Sequence, residues 1–280
     1  SLLQCPDPEL ERTADAAIDL IVSAQQPDGY LDTYYIINGL DQRFTNLRDQ
    51  HELYCAGHMI EAAVAYYRAT GKRKLLDAMI RYADLLCRVF GPGEEQLHGY
   101  PGHEEIELAL MKLYDITRDE RYMQLAAFFI DERGRQPLYF EQETHDVTRK
   151  WLNFHMRKQY NQSHLPVREQ TEAVGHAVRA MYLYAGMADV ARQRQDTELY
   201  TALKTIWKNL TRRRMYITGS IGSSHYGEAF TFDYDLPNDT VYGETCAAIG
   251  LVFFAKRMLM LEPLGEYGDV MERALYNGVI

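Results

Sequence analysis

Residues 53–90 read LYCAGHMIEAAVAYYRATGKRKLLDAMIRYADLLCRVF. Apolar residues return every three or four positions on both sides of Thr70-Gly71-Lys72, and Gly91-Pro92-Gly93 closes the second run. This spacing predicts two helices, over 53–69 and 75–90, joined as a hairpin. Working outward, Leu10, Ala14, Ala17, Ile18, Ile21 and Val22 form the same stripe over 9–24, stopped by Gln25-Gln26-Pro27-Asp28-Gly29. A second hairpin is expected over 104–116 and 121–130, and a shift of 47 residues superimposes Tyr67, Thr70 and Asp84 on Tyr114, Thr117 and Asp131. A third pair spans 170–188 and 197–210, and a fourth spans 243–260 and 267 to the end. Nine helices in an internally repeated pattern predict an all-α fold of stacked hairpins closing into a toroid.

The connectors 91–102, 133–169 and 219–242 are long and rich in His, Tyr and Glu, as loops that carry function tend to be. The polar stretch 141–169 reads as partly a lid. No linker divides the chain, so residues 1–280 are expected to form one domain.

Among 280 residues, 46% are hydrophobic and 25% charged, which excludes disorder. A formal charge of −10 disfavours nucleic acid and anionic membrane surfaces as partners. The longest uncharged apolar run, 247–255, is far too short to span a membrane. Cys5, Cys55, Cys87 and Cys246 show no disulfide framework, and no signal peptide opens the chain, so the expected compartment is the cytoplasm. Homo-oligomerisation is left open.

Three constellations could carry chemistry. His51, Cys55 and His58 share one helix face and are ligand types that suit zinc, although ligands spread along one helix rarely meet at one ion. His51, His103 and His176 each lie near the start of a hairpin, which in a toroid is one end of the ring. Residues 226–246 hold five carboxylates, Glu228, Asp233, Asp235, Asp239 and Glu244, interleaved with Tyr, Phe, Gly and Pro. That is the composition of an ordered, partly dry wall, where a glutamate's pKa is expected to rise for general-acid work. Glu244 and Cys246 converge only in an extended or turn geometry. Twenty-one tyrosines against two tryptophans suit a hydroxyl-rich ligand.

The strings 46–58 (NLRDQHELYCAGH), 102–105 (GHEE), 171–179 (TEAVGHAVR) and 235–246 (DLPNDTVYGETC) resemble glycoside hydrolase family 127, the β-L-arabinofuranosidases. The resemblance covers nearly the whole chain. It implies an (α/α)6-barrel catalytic domain followed by β-sandwich domains, and retaining, exo-acting release of terminal L-arabinofuranose from an arabinofuranosyl oligosaccharide or glycoconjugate. It also implies a Zn2+ held by one glutamate and three cysteines, one of which is the nucleophile. By the same resemblance Glu228 is the acid/base, Glu244 and Cys246 are zinc ligands, and His51, His103 and His176 line the sugar pocket.

The chain departs from the family in two respects: it opens almost directly at a helix, without the family's N-terminal segment, and it lacks two of the three cysteines. The remaining two cysteines form an adjacent pair beyond the Glu-Thr-Cys motif, and residue 280 comes before them. The zinc site is therefore expected to be incomplete, the nucleophile missing, the barrel incomplete at both ends, the β-sandwich domains absent and the fragment nearly inactive alone. Two alternatives stay open: another toroidal sugar enzyme, such as an unsaturated glucuronyl hydrolase or sugar epimerase working without metal, and a non-catalytic helical-repeat binding module.

Overall fold

The computed structural model describes residues 2–143 and 158–280, so the centre of the expected lid, 144–157, lies outside the described residues. Eleven α-helices occur among them: α1 (Pro8–Ser23), α2 (Thr33–Asn38), α3 (Glu52–Thr70), α4 (Lys74–Val89), α5 (Ile106–Thr117), α6 (Glu120–Glu132), α7 (Tyr139–Gln142), α8 (Ala177–Arg194), α9 (Thr197–Arg213), α10 (Thr245–Leu261) and α11 (Gly265–Ala274). The hairpins are α3–α4, α5–α6, α8–α9 and α10–α11, with α1 packed on α4.

Helices α3, α5, α8 and α10 pack side by side in chain order as an inner layer, each backed by its hairpin partner. This is the layering of an (α/α)6-barrel. Sequence explains which helix goes where. In α8 every residue from Ala177 to Ala191 is buried, because a helix with neighbours on both flanks and behind has no solvent face. Outer helix α4 instead buries Leu75, Leu76, Met79, Tyr82, Ala83 and Leu86 and turns Lys74, Asp77 and Arg81 outward. A glycine stands at each inner contact. A Cβ on Gly57 would meet Glu105 Cγ at 2.7 Å, one on Gly186 would meet Glu107 Cβ at 2.9 Å, and one on Gly250 would meet Met181 Cβ at 2.7 Å. The inner helices thus approach closely, which draws their N-termini together.

The 47-residue repeat has a structural basis. Thr70 and Thr117 each return their hydroxyl to the carbonyl four residues back. Gly71 and Arg118 each end an inner helix in the left-handed region, donating to Tyr67 and Tyr114 respectively. Asp84 and Asp131 then tie each outer helix to an arginine further along the chain, Arg121 and Arg168.

The structure departs from the sequence reading at three places. Residues 170–176 are not helical: Ala173 N donates to Asn209 Oδ1, and Gly175, at φ +73°, accepts from Phe230 N, so tertiary bonds override the apolar spacing. Helix α10 opens at Thr245, not 243. Helices α2 and α7, six and four residues long, are too short to show a period. No described helix is long and apolar enough to cross a membrane.

Candidate functional site

Because the inner helices run parallel, the loops before them meet at one end of the layer. His51 is the N-cap of α3, Glu105 of α5, His176 of α8 and Glu244 of α10. The imidazole of His103 lies 5.5 Å from that of His51 and 5.7 Å from that of His176, between centroids. Tyr54, at 4.4 Å, and Tyr182, at 6.1 Å, pack on His103 from below. Burial, reinforced by the Arg179 guanidinium, holds His103 well below the usual histidine range and lowers His51. These two rings are therefore neutral hydrogen-bonding groups at pH 7. Arg179 itself donates to Gly102 O and lies 4.5 Å from the Tyr160 ring.

Glu228 stands opposite, on a loop stapled to α8. Its carbonyl accepts from Ala177 N at 2.9 Å, which holds the residue at φ +51°, a conformation that a non-glycine residue adopts only when its neighbours enforce it. His176 Nε2 is 2.7 Å from Glu228 Oε2, and the Tyr242 hydroxyl donates to Oε1 at 2.8 Å. Partial burial alone would raise this carboxyl, but the Tyr242 and His176 bonds outweigh it and the pKa is lowered. That corrects the expected rise: the wall is half-wet here, and the polar partners decide the sign.

Glu244, extended at φ −62° and ψ 137°, precedes Cys246 in the first turn of α10, and the cysteine thiol hydrogen-bonds the Glu244 carboxylate. That bond, then burial, pushes the thiol up. Glu244 Oε2 is buried without a hydrogen-bond partner. An orphaned carboxylate oxygen beside a thiol fits a thiophilic cation such as Zn2+. The Tyr242 hydroxyl bonds Glu228 and its pKa is pushed up chiefly by that bond, with a further contribution from the Glu244 charge, so both glutamates lie near one tyrosine.

The triplet His51, Cys55 and His58 divides. His51 joins the histidine group and, with Cys55, also lines a cavity of about 730 Å³ between α1, α2 and α3. His58 meets Glu61 and Glu105, the three ligand atoms lying within 4.8 Å of one another, a spacing that could hold a metal ion. The Lys112 ammonium already contacts Glu61, however, and burial, with the neighbouring Glu61 carboxylate, pushes Glu105 up to about 11, so the carboxyl pair shares a proton. Nothing in the local spacing signalled this group beyond the i, i+3 pair His58 and Glu61, because Glu105 arrives from the next hairpin.

A carboxyl whose folded pKa is raised from 4.5 to about 11 contributes stability that is full below pH 4.5 and lost as pH climbs toward 11. Glu105→Gln is therefore expected to become progressively more stable than the parent as pH rises, by up to about 1.4 kcal/mol per pH unit. Denaturant midpoints measured across that range check it; parallel profiles for the two proteins would refute the buried-proton assignment.

The family description "Beta-L-arabinofuranosidase, GH127 catalytic domain" matches residues 1–280. A non-reducing end β-L-arabinofuranosidase of Bifidobacterium longum subsp. longum is 49% identical over 283 residues, which is 98% of this chain and 43% of that protein. The crystal structure of a GH127 β-L-arabinofuranosidase from Geobacillus stearothermophilus T6 superimposes with a TM-score of 0.95 at 58% identity, over 99% of this chain and 44% of that one. A further GH127 β-arabinofuranosidase structure gives 0.88 at 44% identity, over 99% and 42%. The chain thus spans a little under half the length of these relatives.

Proposed function

Since the chain belongs to the GH127 β-L-arabinofuranosidase catalytic-domain family, we propose that it is the acid/base-bearing part of a retaining exo-glycosidase that releases terminal L-arabinofuranose from β-L-arabinofuranosides. The observation that carries this is that the Glu228 carboxylate is bonded by Tyr242, two residues before Glu244, and by His176, whose ring groups with those of His103 and His51.

In this reading His51 and His103, neutral and aromatic-backed, bind sugar hydroxyls without adding charge. His176 and Tyr242 orient the Glu228 carboxyl. Sugar binding strips water from that carboxyl and favours its protonated form, so that it hands a proton to the departing glycosidic oxygen and later takes one from water. Glu244 and Cys246 would hold a zinc ion together with two cysteines outside residues 1–280, and such an ion keeps its thiolates ionised at neutral pH. The nucleophile is one of those further cysteines.

The test uses the complete reading frame. It is expected to release L-arabinose from a β-L-arabinofuranoside with retained configuration and to carry one zinc per chain, and Glu244→Gln with Cys246→Ser is expected to lose the metal. Hydrolysis with full activity in the metal-free protein would instead favour a metal-independent toroidal sugar enzyme.

A further inference from the structure

The two oxygens of Glu228 face donors of different kinds. His176 caps α8: its Nδ1 accepts from Arg179 N at 3.3 Å, which leaves the ring proton on Nε2, the nitrogen 2.7 Å from Oε2. To receive a proton from Oε2, this ring would have to give up its helix cap. The Tyr242 hydroxyl at Oε1 is a rotor; it can donate to a carboxylate or turn and accept from a carboxylic acid. Tyr242 lies at the exposed rim of the loop, whereas His176 is buried.

Resting on the acid/base reading of Glu228, we infer that Tyr242 is a positioning residue that assigns the labile proton to Oε1, and that its hydroxyl marks the place where the leaving-group oxygen docks. In the free enzyme Tyr242 donates and Glu228 is the carboxylate. When the carboxyl takes up its proton the hydroxyl turns to accept it, and the glycosidic oxygen then displaces the phenol. The proton passes from Oε1 to the leaving oxygen as the glycosidic bond breaks, and Oε2 stays bonded to His176 throughout. The backbone pin at φ +51° keeps this orientation from averaging out.

Tyr242→Phe removes the hydroxyl and keeps the ring. Kinetics of the complete reading frame on β-L-arabinofuranosides with leaving groups from nitrophenol to a simple alcohol are expected to show a loss in kcat/KM of about tenfold for the alcohol and a much smaller one for nitrophenol, a group that needs little protonation. The limb of the pH profile at which the acid form is lost is expected to move up by roughly one unit, because a donor to the carboxylate has gone. A uniform loss across leaving groups, with the limb unmoved, would overturn the inference. Glu228→Gln in the same series separates the two readings. If it lacks the leaving-group trend the acid/base assignment itself fails; if it shows the trend and Tyr242→Phe does not, only the inference fails.

Discussion

Glu228→Gln is expected to lower turnover of an alkyl β-L-arabinofuranoside by roughly 10²–10⁴-fold, the usual worth of a positioned general acid. Folding should be untouched. The amide is isosteric, its oxygen can take the His176 bond and its nitrogen the Tyr242 oxygen, and the backbone bond from Ala177 N does not involve the side chain. The measurement is kcat against leaving group, paired with a thermal melt. Azide, a small nucleophile that needs no base, should restore turnover of an activated substrate by doing what the missing carboxylate does for water. Turnover within a few-fold of the parent on the alkyl substrate would remove Glu228 from the mechanism.

Arg133→Met is expected to have the largest effect on stability. Arg133 is fully buried; it pairs with Glu104 at 2.9 Å and Glu107 at 3.3 Å, donates to Asn161 O and Pro101 O, and lies over the Tyr100 ring. It is the one cation paired with both of these buried carboxyls among the described residues, and it joins the loop before α5 to the loop before α8. Removing one partner of a buried pair costs about 3–5 kcal/mol, which for a chain of this size is roughly 10 °C in Tm.

The pH dependence identifies the cause. Burial already pushes Glu104 up to about 8 despite Arg133, so its contribution to stability is full below 4.5 and falls as pH rises toward 8. Without Arg133 the folded pKa rises further and the decline runs longer. The deficit of Arg133→Met should therefore stay level between pH 4.5 and about 8, where folded Glu104 keeps its proton in both proteins, and widen above about 8. A deficit independent of pH would place its origin in the lost carbonyl bonds. Because His103 Nδ1 bonds Glu104 O, the variant is also expected to loosen the His103 ring.

Much of this molecule could be read from its residues in order. The stripes that place α1, α4, α6 and α9 are visible because an outer helix has one wet face and one dry one, and that contrast is written at a spacing of three and four. Where the contrast vanishes the reading slips. Residues 170–176 precede the apolar run of α8 without a break in the sequence yet form a loop, because Asn209 and Phe230 take their backbone groups. The histidines were legible as a set from their shared position at hairpin starts. Tyr54, Tyr182, Tyr242 and Arg179 were not, since each is an ordinary helix or loop residue until its neighbours arrive.

Alone, the order of residues determined the helical hairpins, their repeat, and the family to which Glu228, Glu244 and Cys246 belong. Only the tertiary structure decided the state of the groups: that Glu228 is lowered and not raised, that His58 leaves Cys55 for Glu105, and that the thiol of Cys246 rests on Glu244. The physical reason is that a side chain's protonation depends on which donors and charges surround it. For Glu228 these come from residues 14 and 52 positions away, brought to its two oxygens by the convergence of four helix starts.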